Sequence, residues 1–417
     1  MGWIISEFEI AVGTSRKWDA REAGREVARN TIEKLSNSPK CFFLFSTIHY
    51  EKHGGFEEFL NGVWDILPSG TPLIGGTIAG FINTQGCFTR GASALAISYP
   101  NMDIAIGIGN NTKRNPEKAV KDCVELINKQ NSKPNFYFEF ISGPIIPNFP
   151  GLGKQTVIKS KTSGNLMKKM IPTLFKANMG TDRADEFLNH LVNYINNPLI
   201  GAVCYDDGKL SKNYQFYNNK ILKNSAILLG VSTDFIPEFQ TVTALKERNV
   251  KIKVTVEKDG RTVTHINGKP ATQELFRILN WGKSSVREVE KFYSQAFYYP
   301  FCYKKGDKIH AVMLGLILGE NIYFANKIET DELELFGMTG KKIISQCEDI
   351  FLKNSNFIYG VICETYVETL GNNIYKIKEL IDKNTKDYLL IFAGGESIIY
   401  NDMIPHHLYE SINILRI

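Results

Sequence analysis

The chain of 417 residues contains seven cysteines, none in a Cys-x-x-Cys pair and none joined to histidine at zinc spacing. A zinc ribbon or finger is thereby excluded. Thiols scattered inside apolar runs, such as Cys41, Cys204 and Cys363, read as buried side chains in a reducing compartment. Long hydrophobic runs are missing: the best, 311–318, falls well short of the ~20 residues a membrane helix needs. Charge of one sign is missing too. The net charge is +5 with both signs mixed, and nucleic-acid binding calls for a basic stripe or patch. No serine stands in Gly-x-Ser-x-Gly and no His-Glu-x-x-His occurs, so the hydrolase elbow and that zinc-protease site are excluded. The N-terminus carries no basic and apolar leader. Met1-Gly2-Trp3-Ile4-Ile5-Ser6 fits the short myristoylation pattern and equally the start of a strand. The expectation is a soluble, cytoplasmic protein without membrane, nucleic-acid or metal partners.

What the sequence does contain is one supersecondary unit written three times. The first copy runs from the apolar stretch Ile10–Gly13 through a helix at 18–35 to Cys41-Phe42-Phe43-Leu44-Phe45-Ser46. The second runs from 105–109 through a helix at 115–130 to Phe138-Glu139-Phe140-Ile141-Ser142. Aligned without a gap, Gly13 pairs with Gly109 and Ser46 with Ser142. Each copy then continues into a helix and a Pro-Leu-Ile-Gly, at Pro72–Gly75 and Pro198–Gly201. A third copy runs from 333–337 through 341–352 and 357–363 to Leu389–Glu396. Alternating helix and strand signals with short, continuously apolar strands predict an α/β fold of mixed sheets flanked by helices. Two modules are expected, 1–240 holding two repeats and 241–417 holding a hairpin, paired strands and the third repeat. An insertion at 145–182, rich in Lys, Gly and Pro, reads as a mobile lid or an unstructured loop. A hairpin is expected at 251–266 around Asp259-Gly260, and adjacent strands at 309–318 and 321–327.

Two phosphate-loop likenesses fail on inspection. In 149–156 the required first glycine is replaced by Asn148 and the magnesium-holding hydroxyl by Gln155. Gly107-Ile108-Gly109 lacks the third glycine of a dinucleotide fingerprint. The glycine turns that close each copy are the better signal: Gly75-Gly76-Thr77-Ile78-Ala79-Gly80, Gly201-Ala202-Val203-Cys204-Tyr205-Asp206 and Gly394-Gly395-Glu396-Ser397. Glycines at a strand's carboxyl end let backbone N–H groups approach an anion, and ligands of open α/β sheets lie there. Glu396 beside them could accept an ammonium. The candidate ligand-binding residues are therefore Ser46, Gly75, Gly76, Thr77, Gly80, Gly201, Asp206, Cys363, Gly394, Gly395, Glu396 and Ser397. The alternative is that the glycines only turn the chain or pack repeats, and that Cys363 is buried filler. His406-His407 is the one adjacent histidine pair; on a strand its rings face opposite ways, which leaves at most a single axial ligand. No catalytic constellation is found, so no enzyme is expected.

The order and spacing of several segments resemble the FIST family of ligand-sensing domains. They include Ala11–Ser15, Glu22–Glu26, Leu44–Ser46, Pro72–Gly80, Pro198–Ala202 and 262–271, which match its N-terminal module and later segments. Gly360–Cys363, Leu370-Gly371 and Phe392–Ser397 are similar to its C-terminal module. The resemblance implies a sensory protein that binds a small ligand, usually suggested to be an amino acid, and that signals through a separate protein partner. Some relatives resemble haem-based nitric-oxide sensors, which would make haem a cofactor with an axial histidine; a ligand-free adaptor is the other alternative. One departure stands out: where the family often shows an arginine shortly after the Cys363 position, this chain has Glu364-Thr365-Tyr366-Val367-Glu368.

Overall fold

The computed structural model describes residues 8–130, 132–148, 156–281, 294–400 and 403–417. The myristoylation pattern at 1–6 and the partial phosphate loop at 149–155 lie outside the described residues.

The first unit comprises β1 (Glu9–Ser15), α1 (Ala20–Ile32), β2 (Cys41–Ser46), α2 (Gly55–Trp64), β3 (Leu73–Thr77), β4 (Gly80–Asn83), β5 (Gly86–Phe88) and β6 (Ala92–Ser98). The second repeats the plan with β7 (Asp103–Asn110), α3 (Pro116–Lys129) and β8 (Phe136–Ser142). After the insertion, which contributes β9 (Val157–Ile158) and α4 (Lys161–Lys176), come α5 (Ala184–Leu191), β10 (Leu199–Cys204), β11 (Gln215–Tyr217), β12 (Lys220–Leu222) and β13 (Ser225–Ser232). The third opens with β14 (Glu238–Thr243). A β-rich module interrupts it: β15 (Leu245–Val256), β16 (Thr262–Ile266), β17 (Lys269–Pro270), α6 (Ala271–Ile278), β18 (Phe301–Lys305), β19 (Lys308–Val312), β20 (Leu314–Leu318), β21 (Asn321–Phe324) and β22 (Glu332–Met338). The unit resumes with α7 (Gly340–Phe351), β23 (Ser355–Cys363), α8 (Thr365–Leu370), α9 (Tyr375–Asp382), β24 (Thr385–Ala393), β25 (Glu396–Ile399), β26 (His406–Leu408) and β27 (Ser411–Arg416).

Each unit forms four strands of a six-stranded mixed sheet, in the orders β1-β6-β2-β3, β7-β13-β8-β10 and β14-β27-β23-β24. The inner pair of each is parallel and joined by helical crossover. The remaining two strands come from another unit. Hairpin β4-β5 completes the third sheet, β11-β12 the first and β25-β26 the second, so the three units exchange hairpins in a ring.

Period-two alternation explains why the central strands are apolar on both sides. Phe43 and Phe45 of β2, Phe138 and Phe140 of β8 and Tyr359 of β23 meet in one core shared by the three sheets. Their rings pack edge to face, Phe43 against Phe138 at 4.9 Å, Phe45 against Phe140 at 5.4 Å and Phe138 against Tyr359 at 5.5 Å. The other faces carry Phe42 and Leu44 under α1 and α2, and Tyr137 and Ile141 under α3 and α5. Helix starts follow the sequence signals: Asp19 and Asn115 accept the Glu22 and Lys118 amides as N-caps, and Pro116 opens α3.

Three expectations need correction. The strand at 333–337 does not open the third sheet; as β22 it pairs with β15 in a nine-stranded sheet, and β14 takes the opening place. The division at residue 240 thus falls within β14, and eight strands of the nine-stranded sheet, β15 to β22, are inserted between the third unit's first strand and first helix. Second, the gapless match of copies one and two is one residue out of step in the central strand. Gly75 pairs with Leu44 and Gly201 with Glu139, so Leu44 and Glu139 are equivalent. Ser46 then shares the helix-side parity of Leu44, while Ser142 shares the core-side parity of Phe140. Third, residues 156–176 of the insertion are structured. β9 pairs with β20, and α4, N-capped by Ser160, buries Met167 and Ile171 against Leu316, Leu318 and Tyr323.

The inserted sheet is fastened to the second unit by a buried ion cluster. Arg261, just before β16, is 2% exposed and donates to Asp185 at 2.7 Å and Glu186 at 3.1 Å, both in the first turn of α5. Arg183 and Lys327 also pair with Glu186 at 2.6 and 3.0 Å.

Candidate functional site

The closing glycines prove to be places of close packing. A Cβ on Gly75 would stand 2.0 Å from the Leu44 carbonyl oxygen. On Gly76 it would meet Cys204 Sγ at 2.6 Å, and on Gly80 the Phe88 carbonyl at 2.4 Å. Gly201 makes room for the Glu139 carboxylate, Gly394 for the Tyr205 ring and Gly395 for the rings of His407 and Tyr409. Ser46 donates to the Thr47 carbonyl at 3.0 Å, and Thr77 accepts the Tyr214 amide at 3.0 Å. Asp206 is buried and accepts the Leu210 and Ser211 amides at 2.9 and 2.7 Å, which fixes the turn after β10. The first- and second-unit candidates are therefore spread over separate contacts.

In the third unit the structure does bring candidates together. Cys363, at the end of β23, and Glu396, at the start of β25, share a buried polar cluster with Glu364, Thr365, Glu410 and Ser411. Glu396 is 0% exposed; its Oε2 accepts from Ser411 Oγ at 2.8 Å and its Oε1 has no partner. Glu410, also 0% exposed, accepts from Thr365 Oγ1 at 2.7 Å through Oε2, and its Oε1 is likewise unpartnered. Glu364, only partly buried, accepts from Tyr205 OH at 3.2 Å, and Glu368 one turn on is exposed. The acids thus run from the surface inward. Among the described residues, no cation pairs with Glu364, Glu396 or Glu410.

The electrostatic outcome follows. Burial, with Glu368 and Asp206 adding repulsion, lifts the Glu364 carboxyl to about 7. Burial lifts Glu410 to about 8, against the opposing Thr365 hydrogen bond. Burial and the neighbouring Glu410 and Glu364 hold Glu396 well above the carboxylate range, and Cys363, buried among all three, stays a thiol. At neutral pH Glu396 and Glu410 are held mainly protonated, and a cation brought among these acids would ionise them.

Ser397 points to the other face of the β25-β26 hairpin, as alternation requires. Its hydroxyl lies 3.4 Å from His407 Nδ1, and His407 Nε2 lies 3.7 Å from Asp182. Beneath them Glu139 is fully buried, with neither oxygen in a well-formed hydrogen bond, and burial lifts it to about 8. Lys113, 0% exposed, donates weakly to Ser142 and Asn224 at 3.3 and 3.4 Å, and burial lowers it to about 8.

Among the described residues, no group of three or more His, Cys, Asp or Glu is placed to hold a metal ion, and no helix is long and apolar enough to cross a membrane. His406 and His407 are both buried, the first against His310 at 2.9 Å and the second against Tyr409, which does not suit a porphyrin lying on either ring.

Glu364, Glu410, Tyr205, Lys113, Asp182 and Glu139 were not among the candidates read from the sequence, although Tyr205 stood in the second glycine turn and Glu364 in the departure from the family pattern. Of the others, Glu139 alone left a signal, a lone acid inside an otherwise apolar six-residue run.

Compared with known families, residues 40–269 match the model described as FIST N domain, more than half of the chain. No curated protein matches it.

Proposed function

The chain belongs to the FIST family of signal-transduction sensory domains, and from that premise we propose that it senses a small primary amine, an amino acid being the leading class, in the third-unit acid pocket. The observation that carries this reading is the pair of unpartnered, fully buried carboxylate oxygens, Glu396 Oε1 and Glu410 Oε1. A buried acceptor without a donor costs free energy, about 1–3 kcal/mol. An ammonium brings three donors and one charge to such a site. The graded path from Glu368 through Glu364 to Glu410 supplies an acidic approach. The site is read as binding and not catalytic, with the signal passed to a separate protein partner.

The test is thermal denaturation against free amino acids and their N-acetyl counterparts at pH 8.5. A ligand at about 100 times its Kd stabilises by ~2.7 kcal/mol, enough to raise the melting point by a few degrees. The free amines should do so and the acetylated forms should not. Glu410→Gln should remove the shift. Equal shifts from both sets, or none from any free amine, would overturn the proposal. Binding expels protons from Glu364 and Glu410, so affinity should rise as pH climbs from 6 to 9.

A further inference from the structure

The first unit ends its parallel pair in a different chemistry. Three loops meet at the carboxyl ends of its strands: β1 to α1 with Trp18, the turn after β2 with His49 and His53, and β5 to β6 with Arg90. The Arg90 guanidinium lies 3.7 Å from the centroid of the Trp18 ring. The same indole packs edge-on to His53 at 4.8 Å and to His49 at 6.1 Å.

Two buried nitrogens here have no hydrogen-bond partner among the described residues. Among the described residues, Arg90 Nη1 is buried without a partner and no carboxylate pairs with Arg90. His49 Nε2 is also buried and unpartnered. The other ring nitrogen bears on its tautomer. Thr47 Oγ1 accepts the Gly91 amide at 3.1 Å and stands 2.6 Å from His49 Nδ1 and 3.3 Å from the Gly91 carbonyl. When Thr47 gives its proton to the nearer Nδ1, the ring hydrogen sits on Nε2 and can be donated to a ligand. Arg90 holds His49 neutral by burial and by like charge, which lowers it to about 4.

The surrounding acids are already engaged. Glu26 accepts from Ser15 at 2.6 Å and Asp19 caps α1. Glu51 accepts from Lys212 and Tyr214 at 2.6 and 2.8 Å. Arg16 and Lys17 add positive charge nearby in sequence. Trp18 itself is 57% exposed, so the wall of the cluster faces solvent.

We propose that Arg90, His49 and Trp18 form a second ligand site, for a small oxyanion of carboxylate or phosphate type, separate from the amine pocket. The planar guanidinium fork and the Nε2–H donate to the anion, and the indole forms the wall on which the guanidinium rests.

Trp18 supplies the readout. Its fluorescence is titrated with sodium acetate and with sodium phosphate, at constant ionic strength set by chloride. A saturable change with either is expected, and which one produces it identifies the anion. Trp18→Phe should abolish the change, which assigns it among the four tryptophans of the chain. Arg90→Gln should weaken binding about tenfold or more, and Arg90→Lys should restore part of it as a point charge without the fork. Far-ultraviolet dichroism checks that each variant is folded. No saturable change in the wild type, or the same affinity in Arg90→Gln, overturns the proposal.

Discussion

Glu139 stands where the first unit has Leu44, and replacing it with glutamine tests the electrostatic account. Its carboxyl titrates at about 8 in the folded chain against an ordinary 4.5. Folded protein therefore holds a proton that unfolded protein releases, and stability falls as pH rises from 4.5 to 8. Each unit is worth ~1.4 kcal/mol, so the ionisable group costs about 3 kcal/mol at pH 7 and about 5 kcal/mol above pH 8. Glutamine keeps the shape beside Gly201, where a Cβ would meet Oε2 at 2.4 Å. Its amide hydrogens lack acceptors, at a cost of about 1–3 kcal/mol. The variant should be about 1–3 kcal/mol less stable at pH 4.5 and about 2–4 kcal/mol more stable at pH 8.5. Urea unfolding of both proteins across this range measures the difference. Because packing does not depend on pH, the slope of the difference is the diagnostic. A constant difference from pH 4.5 to 8.5 would show that Glu139 does not titrate as argued.

Two further outcomes follow from the same structure. Arg261→Ala leaves Asp185 and Glu186 facing each other without their buried partner; it should cost about 3–5 kcal/mol in urea unfolding and speed proteolysis between the inserted sheet and the second unit, and an unchanged midpoint would refute the clamp. Gly394→Ala places a methyl 2.4 Å from the Tyr205 ring; it should cost about 1–3 kcal/mol and weaken amine binding by shifting Tyr205 from Glu364, whereas wild-type melting and affinity would show that the ring yields freely.

The α/β class, the repeated unit and the apolar central strands were legible because they rest on local pattern. Phe42-Phe43-Leu44-Phe45 can hardly be anything but a strand covered on both faces. The ring of exchanged hairpins was not legible, because which sheet edge β4-β5 joins is decided by packing some 300 residues away. For the same reason 333–337 was read as a sheet-opening strand: its pattern fits, but β14 reaches that edge first. At the site, the sequence pointed to Cys363 and Glu396 through the glycine turn. It missed Glu410 and Glu364, which lie 14 and 32 residues from Glu396 in sequence and meet it only in the fold. The glycines themselves were ambiguous in principle, since a backbone that must approach a ligand and one that must approach a ring leave the same letter.

The hairpin exchange bears on how the protein is made. As the chain leaves the ribosome, the first sheet stays incomplete until residue 222 has emerged, and the second until residue 408. The third needs its strand at 411–416. Neither of the first two repeats can therefore mature behind its own synthesis, although each resembles a small domain. Their open edges must wait for strands made much later, and pairing across such distances is slow. Loss of the final few dozen residues would strip strands from two sheets at once and would leave even the earliest-made unit without finished neighbours.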